Sequence, residues 1–147
     1  MKFIKKPISL PANYRFFYQL SALLLILNFS CRKNNGASTL KLQILAWALR
    51  DSAGLNSLLK VTKLKEDKNK FQFWALDPAL NRAIEFALAD GFISLSSEKF
   101  FITPTGESFL VEILKEDVFA REKEILKNIG TSVTEAFVDK VLKNKYV

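Results

Sequence analysis

The side chains that usually carry covalent or acid–base chemistry are nearly missing from this chain. Its 147 residues include no His and one Cys, Cys31. Without imidazole the commonest general base is lacking, a lone thiol forms no disulfide within the chain, and no Cys and His cluster exists to hold zinc. Carboxylates are present, but no acidic pair stands in a setting that suits acid–base work. The sequence therefore predicts no enzyme, no metal and no cofactor. What remains for function is charge and apolar surface. Lys60, Lys63, Lys65, Lys68 and Lys70 make VTKLKEDKNK the most basic run, Arg32, Lys33 and Lys41 flank an Asn34-Asn35-Gly36 turn, and Arg82 follows Asn81. Clustered cations suit phosphate, although a solvated loop or helix end is the plainer reading of each run. Arg32, Lys33, Lys63, Lys65, Lys68 and Arg82 are the candidate nucleic-acid contacts. Trp74, Phe137 and Val141 are the candidate anchors for a protein partner, since buried aromatic and aliphatic side chains dominate binding energy.

The net charge of +7 invites a nucleic-acid reading, but it is unevenly placed. Residues 1–74 carry 13 Lys or Arg against 3 Asp or Glu, whereas residues 75–147 carry 9 against 12. The basic excess thus lies ahead of the segment with the clearest structural signals.

That segment is 77–110, DPALNRAIEFALADGFISLSSEKFFITPTGESFL. Asp77 before Pro78 predicts a helix start: the carboxylate accepts from free first-turn N–H groups, and Pro lacks an N–H that would have had no partner. Leu80, Ile84, Ala87 and Leu88 recur at helical spacing, and Asp90-Gly91 stops the helix. Residues 92–95 and 100–103 read as strands around the polar linker Ser96-Ser97-Glu98-Lys99, a hairpin signature. Pro104 opens another helix with Phe109, Leu110 and Ile113. Helix, Gly, strand, polar tip, strand, helix is the plan of a winged helix-turn-helix-like domain.

The flanking segments complete the expectation. MKFIKK followed by LSALLLILNFSC imitates a bacterial lipoprotein signal. Pro7, Pro11 and Asn13 interrupt it, Asn28 stands three before Cys31 where such signals carry Leu, and the apolar run at 20–27 is far short of the roughly 20 residues that span a bilayer. A buried helix over 13–31, capped by Asn13, in a cytoplasmic protein with no membrane partner is expected. Ser38 or Thr39 is read as the cap of a second helix bearing Leu42, Leu45, Ala46 and Leu49, and 52–60 as a short third. FQFWAL alternates like a strand and is a candidate third member of the sheet; Phe71, Phe73 and Trp74 are read as core, with Trp74 an anchor if exposed. Toward the end, Val118, Glu122, Ile125, Leu126 and Ile129 lie at helical spacing, and Ser132 stands at capping-box spacing from Glu135 ahead of Phe137, Val138, Val141 and Leu142. Those stripes must be covered by the domain or by another chain. The fold class expected is mainly α with a small β-hairpin, one domain over 1–147: a helical N-terminal part at 12–60, a winged core at 71–113 and additional C-terminal helices at 115–145.

A winged helix hosts both DNA readers and protein-interaction modules. Readers present Arg, Lys, Asn or Gln from the recognition helix and wing, but here Asn81 and Arg82 share the helix with Glu85 and Asp90, and Lys99 sits beside Glu98. These carboxylates favour a protein contact. The apolar helix ending in a Cys-Arg-Lys turn, the LKLQILAWALRD helix, WALDPALNRAIEFALADGFI and the wing with FFITPTGESFL together resemble the small middle components of bacterial ABC-three-component defence systems, the group that includes Lamassu. The resemblance spans about residues 11–142. It implies a non-catalytic interaction subunit of a multi-protein antiviral defence complex, bridging an SMC-like ATPase and an effector, with DNA reached through the complex. A winged-helix DNA-binding transcriptional regulator is the alternative.

Overall fold

Leucines and isoleucine at 20 and 23–27 follow one another around a helix's whole circumference, so such a helix has no face to offer to water. In the computed structural model, which describes residues 12–66, 71, 73 and 76–146, these side chains lie on α1 (Ala12–Phe29) and are at most 4% exposed. Helix α1 runs through the centre and touches α2 (Thr39–Arg50), α4 (Pro78–Ala89), α5 (Pro104–Leu114) and α6 (Ala120–Ile129). Helix α3 (Ser52–Thr62) packs on α2, as does α7 (Glu135–Tyr146). Strands β1 (Ile93–Ser96) and β2 (Lys99–Ile102) form an antiparallel pair between α4 and α5. The molecule is thus mainly helical with a small two-stranded sheet among the described residues. Helix α1 starts at Ala12, so the expected cap, Asn13, falls inside its first turn. Among the described residues no helix is long and apolar enough to cross a membrane.

Side-chain caps set the helix boundaries. Ser38 caps α2 by accepting from the Lys41 N–H at 3.3 Å. Asp51 closes α2 and caps α3, its Oδ1 accepting from Ala53 at 3.0 Å and Gly54 at 3.3 Å. Asp77 caps α4 through Ala79 at 3.0 Å, with Pro78 at the first helical position, as read. Thr103 caps α5 by accepting from Gly106 at 3.1 Å, and its hydroxyl donates to the Gly91 carbonyl at 2.5 Å, closing the hairpin's base. A Cβ on Gly106 would run into the Phe92 carbonyl, so only glycine admits this approach. The capping box at Ser132 does not form. Helix α7 begins at Glu135, which makes Thr134 the cap: its Oγ1 accepts from Phe137 at 3.1 Å. Ser132 instead donates to the Ile129 carbonyl at 2.7 Å.

The strands reach one residue nearer the tip than predicted, with Ile93 opposite Ile102 and Ser96 opposite Lys99. That leaves Ser97 and Glu98 as a two-residue turn, both at positive φ (51° and 64°), the geometry that matches the twist of a hairpin. The described residues of the expected third strand do not join the sheet. Phe71 and Phe73 are buried with their rings edge-on to Trp47 at 5.8 and 5.3 Å, and Phe71 also meets Phe137 at 5.5 Å. Large rings gain more by entering an aromatic core than by lying on a sheet edge. Ala37 takes the place beside β2, donating to the Phe100 carbonyl at 3.0 Å and accepting from its N–H at 2.8 Å. Gly36 precedes it with φ +62°.

The C-terminal helices pack back on this chain. Phe119, Leu126, Ile129, Val133, Phe137, Val138 and Val141 all enter the one core cluster, and the Ser30 hydroxyl donates to the Leu126 carbonyl at 2.9 Å. Val118, read with that stripe, is 62% exposed because a 3-10 turn, Asp117–Phe119, turns Phe119 inward instead.

Candidate functional site

The Ala37–Phe100 pair folds the α1–α2 turn against the hairpin. Arg32, Asn34 and Asn35 thereby come alongside Ser96, Ser97 and Lys99, while the α6–α7 connection contributes Thr131 and Thr134, and α2 contributes Lys41. Together they line an open groove of about 530 Å³. Its charges are Arg32, Lys41 and Lys99 against Glu135. Both oxygens of that carboxylate are engaged elsewhere, accepting from the Ser38 N–H at 2.9 Å and the Ser38 hydroxyl at 2.8 Å. Lys41 is only 5% exposed, and among the described residues its ammonium has neither an ion pair nor a hydrogen-bond partner. Burial pushes the nearby Cys31 thiol up to about 11, with the Lys41 charge pulling the other way and Glu135 adding to the rise. A thiol held so is protonated at neutral pH and is no nucleophile.

The other predicted cations lie apart from this groove. Lys33 pairs with Glu107 at 2.6 Å across an exposed surface. Lys63 and Lys65 are exposed after α3 and do not line the groove, and Lys68 lies outside the described residues. Arg82 is exposed on α4 in company with Glu85, while the Asn81 side-chain oxygen accepts from Gln43 at 3.1 Å. The fold therefore brings Arg32 together with Lys41, which was read at the same turn, and with Lys99 of the hairpin. Thr131 and Thr134 were not foreseen as their neighbours; no local pattern links the α6–α7 connection to the hairpin tip.

A second, apolar groove of about 340 Å³ lies between α2, α4 and α7, walled by Leu40, Phe73, Leu76, Val141 and Leu142. Leu76 and Leu142 are 60% and 44% exposed. The expected anchors need correction here. Phe137 and Val141 are 3% and 5% exposed, because the α7 stripe turns toward the core, so neither is free surface; Val141 contributes only a wall of the groove. Leu142, read as part of the same buried line, is the residue turned outward. Trp74 lies outside the described residues. Comparison with known protein families, with curated proteins and with solved structures finds no match for this chain.

Proposed function

We propose that this protein is a non-catalytic interaction subunit of a multi-protein antiviral defence complex, a cytoplasmic winged helix-turn-helix variant that bridges an SMC-like ATPase and an effector. The order of helix, the Ala37 bridge, further helices and hairpin supports the winged reading, with α6 and α7 as additions. The observation that carries the interaction role is the apolar groove with Leu76 and Leu142 exposed on it. A groove of that kind accepts the apolar face of an amphipathic helix, such as a coiled-coil ATPase provides, and two leucines of this exposure serve as its anchors. The recognition-helix position supports the same choice. On α4 the exposed Arg82 stands with Glu85, Asp90 follows, and Asn81 is held by Gln43, so the fork and amide array that reads base edges is not assembled. The resemblance noted above supplies the identity of the partners.

A titration of the isolated protein against duplex DNA at near-physiological salt tests this reading against the regulator alternative. The expected result is no sequence-specific binding and no change on Arg82→Ala. Tight, sequence-specific binding lost on Arg82→Ala would make the protein a transcriptional regulator instead.

A further inference from the structure

We propose that the groove floored by Lys41 is a binding site for a phosphate group carried on a polyanion, engaged without regard to base sequence. The Lys41 side chain is the starting point, since it is packed along its length, lines the groove and makes no ion pair among the described residues. A packed stem restricts where the ammonium can go, so a phosphate in the groove meets a charge that has little side-chain freedom left to lose. The obvious internal neutraliser, Glu135, is on the groove's wall yet forms no ion pair with Lys41; its two oxygens are committed to Ser38 at the start of α2. The groove thus keeps its positive charge facing an open, solvent-filled space.

The surrounding groups match phosphate. Arg32 presents a planar fork able to grip two oxygens at once, and Lys41 and Lys99 act as point charges. The amide of Asn34 and the hydroxyls of Ser96 and Thr134 are donors for the remaining oxygens. None of these groups reads a base, and they come from three parts of the chain, the α1–α2 turn joined to the hairpin by the Ala37–Phe100 pair and to the start of α7 by the Ser38–Glu135 bonds. At about 530 Å³ and open to solvent, the groove exceeds what one free phosphate fills, which favours an extended chain such as a nucleic-acid backbone. This site uses none of the residues of the apolar groove, so the two proposals can fail separately.

The test compares wild-type protein with Lys41→Met, which keeps the length of the stem and removes the charge, and with the surface double variant Arg32→Gln/Lys99→Gln. Each is titrated with a labelled duplex of mixed sequence, with single-stranded RNA and with inorganic phosphate, while Tm is recorded alongside. Lys41→Met is expected to weaken duplex or RNA binding about tenfold or more and to reduce the salt slope by roughly one counterion. Its Tm without ligand should be nearly unchanged, because Met keeps the packed stem and the lost charge made no ion pair among the described residues. Inorganic phosphate should raise the wild-type Tm and leave that of Lys41→Met unmoved. Binding of inorganic phosphate alone, dependent on Lys41, supports the phosphate site and identifies a small free anion as its source. If Lys41→Met fails to fold, the double variant decides, with the same loss expected. Wild-type protein that neither binds nucleic acid nor responds to phosphate overturns the proposal. So does binding that both variants retain in full.

Discussion

Replacing Asp77 by Ala removes the side chain on which three helices converge. Its Oδ1 caps α4 through Ala79 at 3.0 Å, and its Oδ2 accepts from Gln19 of α1 at 2.7 Å and from Arg50 of α2 at 3.3 Å. Losing the cap costs about 1 kcal/mol. The Gln19 amide, 7% exposed, loses its acceptor, and a buried donor left without a partner costs about 1–3 kcal/mol. The ion pair, with side chains 30% and 19% exposed, adds about 0.2–1 kcal/mol after screening. The two bonds from Gln43 to the residue's main-chain N–H and carbonyl survive the change. Together these give a loss of about 2–5 kcal/mol, a large share of the usual margin of about 5–15 kcal/mol. Urea denaturation read by far-UV circular dichroism measures it as a lower midpoint at an unchanged slope. Asp77→Asn keeps one oxygen for the cap but sets an NH2 group where Oδ2 accepted from Gln19 and Arg50, so it should recover about 1 kcal/mol of the Ala variant's loss and no more. An Asp77→Ala protein within about 0.5 kcal/mol of wild type, or an Asn variant as stable as wild type, refutes the reasoning.

Other perturbations have equally definite outcomes. Ser97→Asn with Glu98→Gly should stabilise the hairpin turn by about 1–2 kcal/mol in the same denaturation assay, because both residues sit at positive φ and neither favours it. The folded protein holds the Cys31 proton more tightly than the unfolded chain, so stability is complete below about pH 9 and falls as pH rises toward about 11. A rise from 9.0 to about 11 makes that loss of order 2–3 kcal/mol. Tyr18 is likewise raised, first by burial and then by the charge of Glu122, which accepts its hydroxyl at 3.1 Å, so Cys31→Ala should retain only the higher-pH part of the decline. Phe137→Asp should abolish cooperative folding, as a charge is forced into the core, while Leu142→Asp at a 44% exposed position should leave the melting curve nearly unmoved.

Local chemistry made much of the fold legible. Asp77-Pro78, Asp90-Gly91 and Pro104 each act within their own turn, and the helix and hairpin between them form, the strands one residue nearer the tip than read. Helix α1 was legible as well, because its leucines leave it no polar face. What failed depended on contacts distant in sequence. FQFWAL has the alternation of a strand, but Trp47 draws Phe71 and Phe73 into the core, and Ala37 takes the sheet edge. Periodicity put Phe137, Val141 and Leu142 on one line without telling which neighbour lies inside, and α2 decides that. The cations at the α1–α2 turn were visible as residues; their meeting with Lys99, Thr131 and Thr134 was not, since it requires the hairpin and the α6–α7 connection to close on the same turn.

The interaction role is tested most directly by affinity capture of the tagged protein from its native host, wild type against Leu76→Asp/Leu142→Asp, read by quantitative mass spectrometry. Both substitutions lie on exposed positions, so the variant should remain folded. The expected result is an SMC-like ATPase with an effector recovered in stoichiometric amounts by the wild type and lost from the variant, since two anchors at about 2 kcal/mol each correspond to a several-hundredfold weaker contact. Capture that returns no such ATPase, or returns it equally with both proteins, contradicts it.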